Sequence, residues 1–319
     1  MFRKRKFLLT AVILLLTAFI FYSGFVVRSY SYQVTVPYPM LKTGEQFNTP
    51  KRVVRWYLPF ATDDTAKRNV LDKNSKYITA GEYALEITEP STISAVLRSA
   101  FRNTTKEFLF TAASDPADMS SCTVTMNWRS TLFSRWTDKG GLEEKAKLSL
   151  ENLKTFMEDT RQFYGYEIER TTVADTSFLF LSVTVPTAEK RKATKDLFDR
   201  LIAYAQEKGA GYTSTRIFYS TPYGKDQLML FASIGITNRV QTAPGEPFQY
   251  KKMPLGKNLL TATYQGPYGE VAKAYTALEN FKTDHKLTSM AIPYQQFLSD
   301  GYDFAEDQVV QMKVYYPVF

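Results

Sequence analysis

The chain has one cysteine, Cys122, and one histidine, His285. A lone thiol closes no intrachain disulfide, so the fold rests on its core and not on cross-links. A lone imidazole leaves too few partners for a histidine–cysteine metal centre or a histidine-based triad. No metal, no cofactor and no catalytic residue are therefore expected. Cys122 reads as a packed core residue and His285 as a solvated helix end. Low-complexity tracts, zinc-ligand spacings and a helix-turn-helix pattern are also missing. No basic cluster is interleaved with aromatics, so no nucleic-acid partner is expected. The formal charge of +8 does not change this. Four positive charges, Arg3, Lys4, Arg5 and Lys6, sit at the N-terminus, and the remaining excess is scattered.

Aromatic residues, by contrast, are plentiful, with 23 Phe and 21 Tyr. That suits a β-rich core, and the tyrosines equally suit an amphipathic cavity, since a phenol packs and hydrogen-bonds at once. A length of 319 residues suggests two domains beyond the N-terminal segment. The basic cluster precedes an uncharged run of 21 residues, Phe7 to Val27. Such a run predicts an uncleaved transmembrane helix over residues 1–28, with a cytoplasmic N-terminus and the bilayer as a partner. The rival reading, a cleavable signal peptide, needs a shorter apolar core and a small-x-small site. Phe21, Tyr22, Phe25, Val26 and Val27 occupy that zone instead.

Sliding the C-terminal half against itself by 81 residues aligns Leu179 with Leu260, Pro186 with Pro267, Lys192 with Lys273, Leu197 with Leu278, and Asp226-Gln227 with Asp307-Gln308, without a gap. Matches held in one register across a whole unit indicate an internal repeat, over 178–237 and 259–318. The periodicity of each copy predicts the order β-α-β-β. In the first copy, an apolar strand from Phe178 to Val185 is followed by a helix with Leu197, Leu201, Tyr204 and Ala205 on one side. Two further strands follow, Tyr212 to Tyr219 and Gln227 to Ile236. In the second copy the helix runs Glu270 to His285, with Ala274, Leu278 and Phe281 inward. Two such units can share one sheet and cradle a concavity.

The second copy carries Tyr264-Gln265-Gly266-Pro267-Tyr268, then Tyr275 and Leu278, Ile292-Pro293-Tyr294, and finally Val314-Tyr315-Tyr316-Pro317-Val318. This set resembles the GyrI-like effector-binding domain of bacterial transcription regulators, over residues 165–319. The resemblance implies two pseudo-symmetric halves and an aromatic-lined pocket for small, often hydrophobic and cationic molecules. Some members of that family are hydrolases. The ligand-binding residues it suggests are Tyr264, Tyr268, Tyr275, Tyr294, Lys313 and Tyr315. Family members that bind cations or hydrolyse carry a glutamate on the last strand, where Lys313 stands here. Either Lys313 points out of the pocket, or the pocket prefers neutral or anionic guests. Strand alternation puts Lys313 and Tyr315 on one face and Met312, Val314 and Tyr316 on the other. The tyrosines can equally be plain packing residues.

The N-terminal half offers strand segments at Tyr83 to Thr88, Thr92 to Phe101, Thr105 to Ala113 and Cys122 to Arg129. After Gly140-Gly141 comes a long helix with Ala146, Leu150, Leu153, Met157 and Tyr164 on one stripe. With Trp56-Tyr57-Leu58-Pro59-Phe60 and Leu150-Glu151-Asn152-Leu153-Lys154, this order resembles the helix-grip (START-like, SRPBCC) fold over residues 33–163, which implies a sheet wrapped round a helix and room for a lipid-sized guest. The expected fold class is thus α+β: an N-terminal transmembrane helix, a helix-grip (SRPBCC-like) domain, then a duplicated β-α-β-β GyrI-like domain. The expected placement is a bacterial inner membrane, single-pass, with the folded domains outside the cytoplasm.

Three functions follow from these features. The first is a membrane-anchored binding protein for a small hydrophobic molecule. The second is a small-molecule hydrolase with Glu270, Glu279 and Tyr268 as polar actors, although Glu270 also reads as a solvated acid in a helix's first turn. The third is a non-catalytic envelope scaffold.

Overall fold

The computed structural model describes residues 2–73, 77–174, 177–243, 245–289, 291–298 and 301–318, the side chains of 2–9 and 71–73 excepted. The chain divides into two compact units, Met1–Asp159 and Thr160–Phe319. Each is built round its own antiparallel sheet.

The first unit opens with α1 (Phe2–Phe25) and β1 (Arg28–Val36), followed by the short helices α2 (Met40–Gly44) and α3 (Pro50–Val53) and by α4 (Asp64–Lys73). A meander follows: β2 (Tyr77–Ala80), β3 (Tyr83–Thr88), β4 (Ser94–Phe101), β5 (Thr104–Ser114) and β6 (Cys122–Ser130). Then come α5 (Leu132–Trp136) and α6 (Leu142–Glu158). The sheet order β1-β6-β5-β4-β3-β2 returns the first strand to pair with the last. Period-two burial along β6 turns Cys122, Val124, Met126 and Trp128 inward. The stripe Leu142, Ala146, Leu150, Leu153 and Met157 of α6 is buried.

The rings of Phe47, Trp56, Tyr57, Phe60 and Phe110 interlock at centroid separations of 5.6 to 6.3 Å. Trp56 donates its indole N–H to the Gln46 carbonyl at 3.1 Å, and Tyr57 shares a hydrogen bond with Ser99 at 2.7 Å. The hollow left beside Tyr57, Tyr83 and Leu142 is about 10 Å³. That barely reaches the roughly 10–15 Å³ needed to hold a single water. At this place the chain's own rings fill the space.

Two sequence expectations for this unit need correction. Among the described residues no helix is long and apolar enough to cross a membrane. The described side chains of α1 cover residues 10–25. The expected transmembrane helix, the bilayer as partner and the single-pass inner-membrane placement are overturned together. The basic cluster Arg3 to Lys6 lies outside the described side chains. Secondly, Tyr164 does not extend the α6 stripe, because α6 ends at Glu158.

The second unit runs α7 (Thr160–Tyr164), β7 (Ile168–Thr172), β8 (Ser177–Pro186), α8 (Lys190–Glu207), β9 (Tyr212–Pro222), β10 (Gln227–Ile236), β11 (Gln249–Lys252), β12 (Asn258–Pro267), α9 (Ala272–Asp284), β13 (Tyr294–Phe297) and β14 (Val309–Pro317). Its sheet order is β11-β8-β10-β9-β13-β14-β12-β7. Adding 81 to the bounds of β8 gives those of β12, and adding 81 to the 3₁₀ turn Thr187–Glu189 gives the turn Tyr268–Glu270. The order β8-β10-β9 is mirrored by β13-β14-β12, and the halves join where Phe218 pairs with Gln295 and Ile217 with Gln296. Both helices cover one face of this sheet. Leu197, Phe198 and Leu201 of α8 and Ala274, Leu278 and Phe281 of α9 share a core with Leu230, Leu260, Met312 and Val314.

His285, expected to be solvated, is half-buried. Its ring stacks on Phe281 at 3.9 Å, and Nδ1 donates to the Phe281 carbonyl at 2.9 Å. Burial, with a smaller contribution from Arg170, holds its pKa below the usual value. A base that is harder to protonate folded than unfolded gives stability that is full above the unfolded pKa of about 6.5 and declines as pH falls below it. Thermal melts from pH 7.5 to 5 should therefore show a fall in Tm that His285→Gln reduces. An unchanged slope in the variant would exclude this origin.

Candidate functional site

A cavity of about 480 Å³ lies on the helix-covered face of the second unit's sheet. Its lining starts at the 3₁₀ turn after β12, which supplies Tyr268 and Gly269. The turn is tight at Gly269, where an added Cβ would stand 3.2 Å from the Glu306 carbonyl oxygen and 2.6 Å from its movable carboxylate. Along α9, Ala272, Tyr275, Thr276 and Glu279 enter at the i, i+3, i+4, i+7 spacing of one helix face. The end of β9 adds Tyr219 and Ser220, β13 adds Gln295, and β14 adds Tyr316. Lys190, at the head of α8, completes the rim.

Rings dominate the walls. Tyr219 and Tyr275 meet edge to face at 6.4 Å. The Tyr268 hydroxyl accepts from the Gln295 amide at 3.2 Å, and the Lys190 ammonium lies 4.7 Å from the Tyr268 ring centre. Burial pushes the Tyr268 pKa up to about 12 and drives Tyr275 well above the ordinary phenol value. Tyr316 is raised by burial and by its bond to Glu279. All three phenols are neutral donors at physiological pH.

The charges are already partnered. Glu279 pairs with Lys282 at 2.9 Å, and bonds from Tyr316 and Lys282 hold its pKa below the usual carboxylate value. Lys190 pairs with Glu306 at 3.1 Å. The cavity therefore presents apolar ring surface with satisfied polar groups at its margins.

Of the six residues read from the sequence, Tyr268 and Tyr275 line this cavity. Tyr294, Lys313 and Tyr315 line a different hollow, among side chains of the opposite face of the sheet. Tyr264 lines neither: it is buried, and its hydroxyl donates to the Pro267 carbonyl. Alternation along β14 accounts for the split, since Tyr315 and Tyr316 point to opposite faces. Sequence reasoning missed Tyr219, Gln295, Tyr316 and Lys190. Glu279 was considered only as a catalytic acid, although its spacing from Ala272 and Tyr275 marks it as a wall residue. The other acid considered, Glu270, is exposed and pairs with Lys273.

A ring-walled hollow under a helix, on a sheet of two mirrored halves, defines a small-molecule-binding domain. Residues 166–318 match the model of the GyrI-like small molecule binding domain, and this segment is a GyrI-like domain. Among solved structures, the EcmrR–DNA complex in EcmrR-RPo is similar at 12% identity, over 59% of this chain and 75% of that one, with a TM-score of 0.39. The EcmrR C-terminal domain is similar at 14% identity, over 48% and 98%, with a TM-score of 0.36. A hydrolase from Listeria innocua is similar at 15% identity, over 48% and 91%, with a TM-score of 0.33. No curated protein matches the chain.

Proposed function

We propose that the second unit binds a small, neutral, ring-bearing hydrophobic molecule in the cavity walled by Tyr219, Tyr268, Tyr275 and Tyr316. The observation that carries this is the pairing of an apolar ring surface with charges that are already neutralised: Glu279 by Lys282, and Lys190 by Glu306. A cationic guest would have to displace Lys282 from Glu279 before meeting a free carboxylate. The volume of about 480 Å³ falls in the range of about 300–1,000 Å³ usual for small-molecule pockets. Hydrolysis is poorly served by the same carboxylate, because a depressed pKa makes Glu279 a weak base. For the first unit we propose the helix-grip arrangement in a filled form; its six-stranded sheet, closing helix α6 and interlocked ring cluster support that reading.

Ala272 lines the cavity and is exposed, so Ala272→Trp fills the space without disturbing the core. The neutral dye Nile red, titrated into the full chain, should show saturable fluorescence enhancement. Its affinity should fall roughly tenfold or more in Ala272→Trp, equivalent to about 1.4 kcal/mol. Equal affinity in the two proteins would refute the reading.

A further inference from the structure

The opposite face of the same sheet carries a second hollow, of about 180 Å³. We propose that it is a separate site for a small aromatic carboxylate, held by Lys313 and Thr261; the proposal does not rest on the first cavity binding anything.

Cross-strand pairing assembles the site in two adjacent rows. Glu169 on β7 faces Thr261 on β12, Thr261 faces Tyr315 on β14, and Tyr315 faces Tyr294 on β13. In the next row Lys313 faces Gln296, which faces Ile217 on β9. Side chains paired directly across strands share a face. The tyrosines stack at 5.1 Å, and Phe178, Ile217 and Tyr294 form a small core of their own with Met253 and Tyr315 against it. This face therefore has an apolar floor and flat ring walls.

Two polar groups in that setting lack partners. Thr261 is 4% exposed, and among the described residues its hydroxyl makes no hydrogen bond. Such a group is costly to bury unless something answers it. Lys313 is half-buried at mid-sheet, and among the described residues its ammonium makes no ion pair or hydrogen bond. Glu169 brings the opposite charge, but it is exposed and sits on the last strand of the sheet. Glu169 and Lys313 thus give the lining one charge of each sign, the negative one at the exposed edge and the positive one at mid-sheet, where the Thr261 hydroxyl and the Gln296 amide are donors nearby. An anion satisfies all three. About 180 Å³ lies below the roughly 300–1,000 Å³ usual for drug-sized guests. That admits one ring with a carboxylate and little more.

Benzoate is the probe. Calorimetric titration into the full chain should give saturable binding. Lys313→Gln should weaken it roughly tenfold or more, the value of a charge-assisted contact. Lys313→Arg should keep most of it. Thr261→Val removes the unanswered hydroxyl within the same shape, and should weaken benzoate several-fold with no loss of Tm. Ala272→Trp, which blocks only the first cavity, should leave benzoate unaffected. Absence of saturable binding overturns the proposal, as does an affinity that follows Ala272→Trp and ignores Lys313→Gln. Failure of this site would leave the Nile red result untouched.

Discussion

Lys106→Ala should destabilise the first unit by about 3–5 kcal/mol, because it strips a buried carboxylate of its one buried cation. The Lys106 ammonium lies 2.6 Å from Glu143 Oε1, with both side chains less than a tenth exposed, and 3.7 Å from Asp138. It also donates to the Ser134 carbonyl at 3.4 Å. Arg135 approaches the other Glu143 oxygen at 3.1 Å, but it is partly in solvent and cannot replace the lysine. By scanning calorimetry the loss should appear as a fall in Tm of roughly 6–20 °C. Replacing the pair together, as Lys106→Met with Glu143→Leu, should recover most of it, since apolar packing often equals a buried ion pair. If the double variant is no more stable than the single one, the cost does not come from a stranded charge. The pair also fixes an acid limit. Burial alone would raise the Glu143 pKa, yet bonds from Lys106 and Ser130 take it below the usual value. This contribution is complete above the unfolded pKa of about 4.3 and is lost as pH falls through the lower folded value.

That cluster was invisible in the sequence, because its members meet only when β5 brings Lys106 against the start of α6. What local pattern controls was legible. The structure places β3 at Tyr83–Thr88, as the alternation indicated, and β6 starts at Cys122. The inward stripe of α6 follows from Ala146, Leu150, Leu153 and Met157. By contrast, β7 (Ile168–Thr172) is mostly exposed and polar, and β2 and β11 are four residues each, so none of them carries a strong apolar signature. The tyrosine-walled cavity was half legible. Tyr268 and Tyr275 sit where a strand passes through a turn into a helix, and that passage can be read from Gly266-Pro267. Choosing Tyr316 over Tyr315 required knowing which face the helices cover, and alternation gives two faces without saying which is which. Tyr219 and Lys190 come from residues far away in sequence, so only the central pairing of β9 with β13 shows that they belong.

The register of 81 has a consequence for the cavity. It aligns Leu197 with Leu278 and so sets Phe198 of α8 opposite Glu279 of α9. Glu279 lines open space, whereas Phe198 is fully buried against Tyr302, Phe297 and Phe218 at 4.9, 5.9 and 6.5 Å. Phe297 in turn lies 6.5 Å from Tyr268, so the packed cluster borders the cavity wall. One side of the mirrored sheet is plugged by a ring, and the other is left open by a carboxylate that turns to Lys282. Phe198→Ala should cost about 3–5 kcal/mol of stability. Part of that should return on adding benzene, because an apolar cavity left by a deleted ring stays dry and accepts an apolar guest. The wild-type Tm should respond less to benzene than the variant's. The reverse exchange, Glu279→Phe, puts the plug into the open side. It should keep the fold and abolish Nile red binding. If Glu279→Phe binds the dye as tightly as the wild type, the side chain opposite Phe198 is not what keeps the second half open.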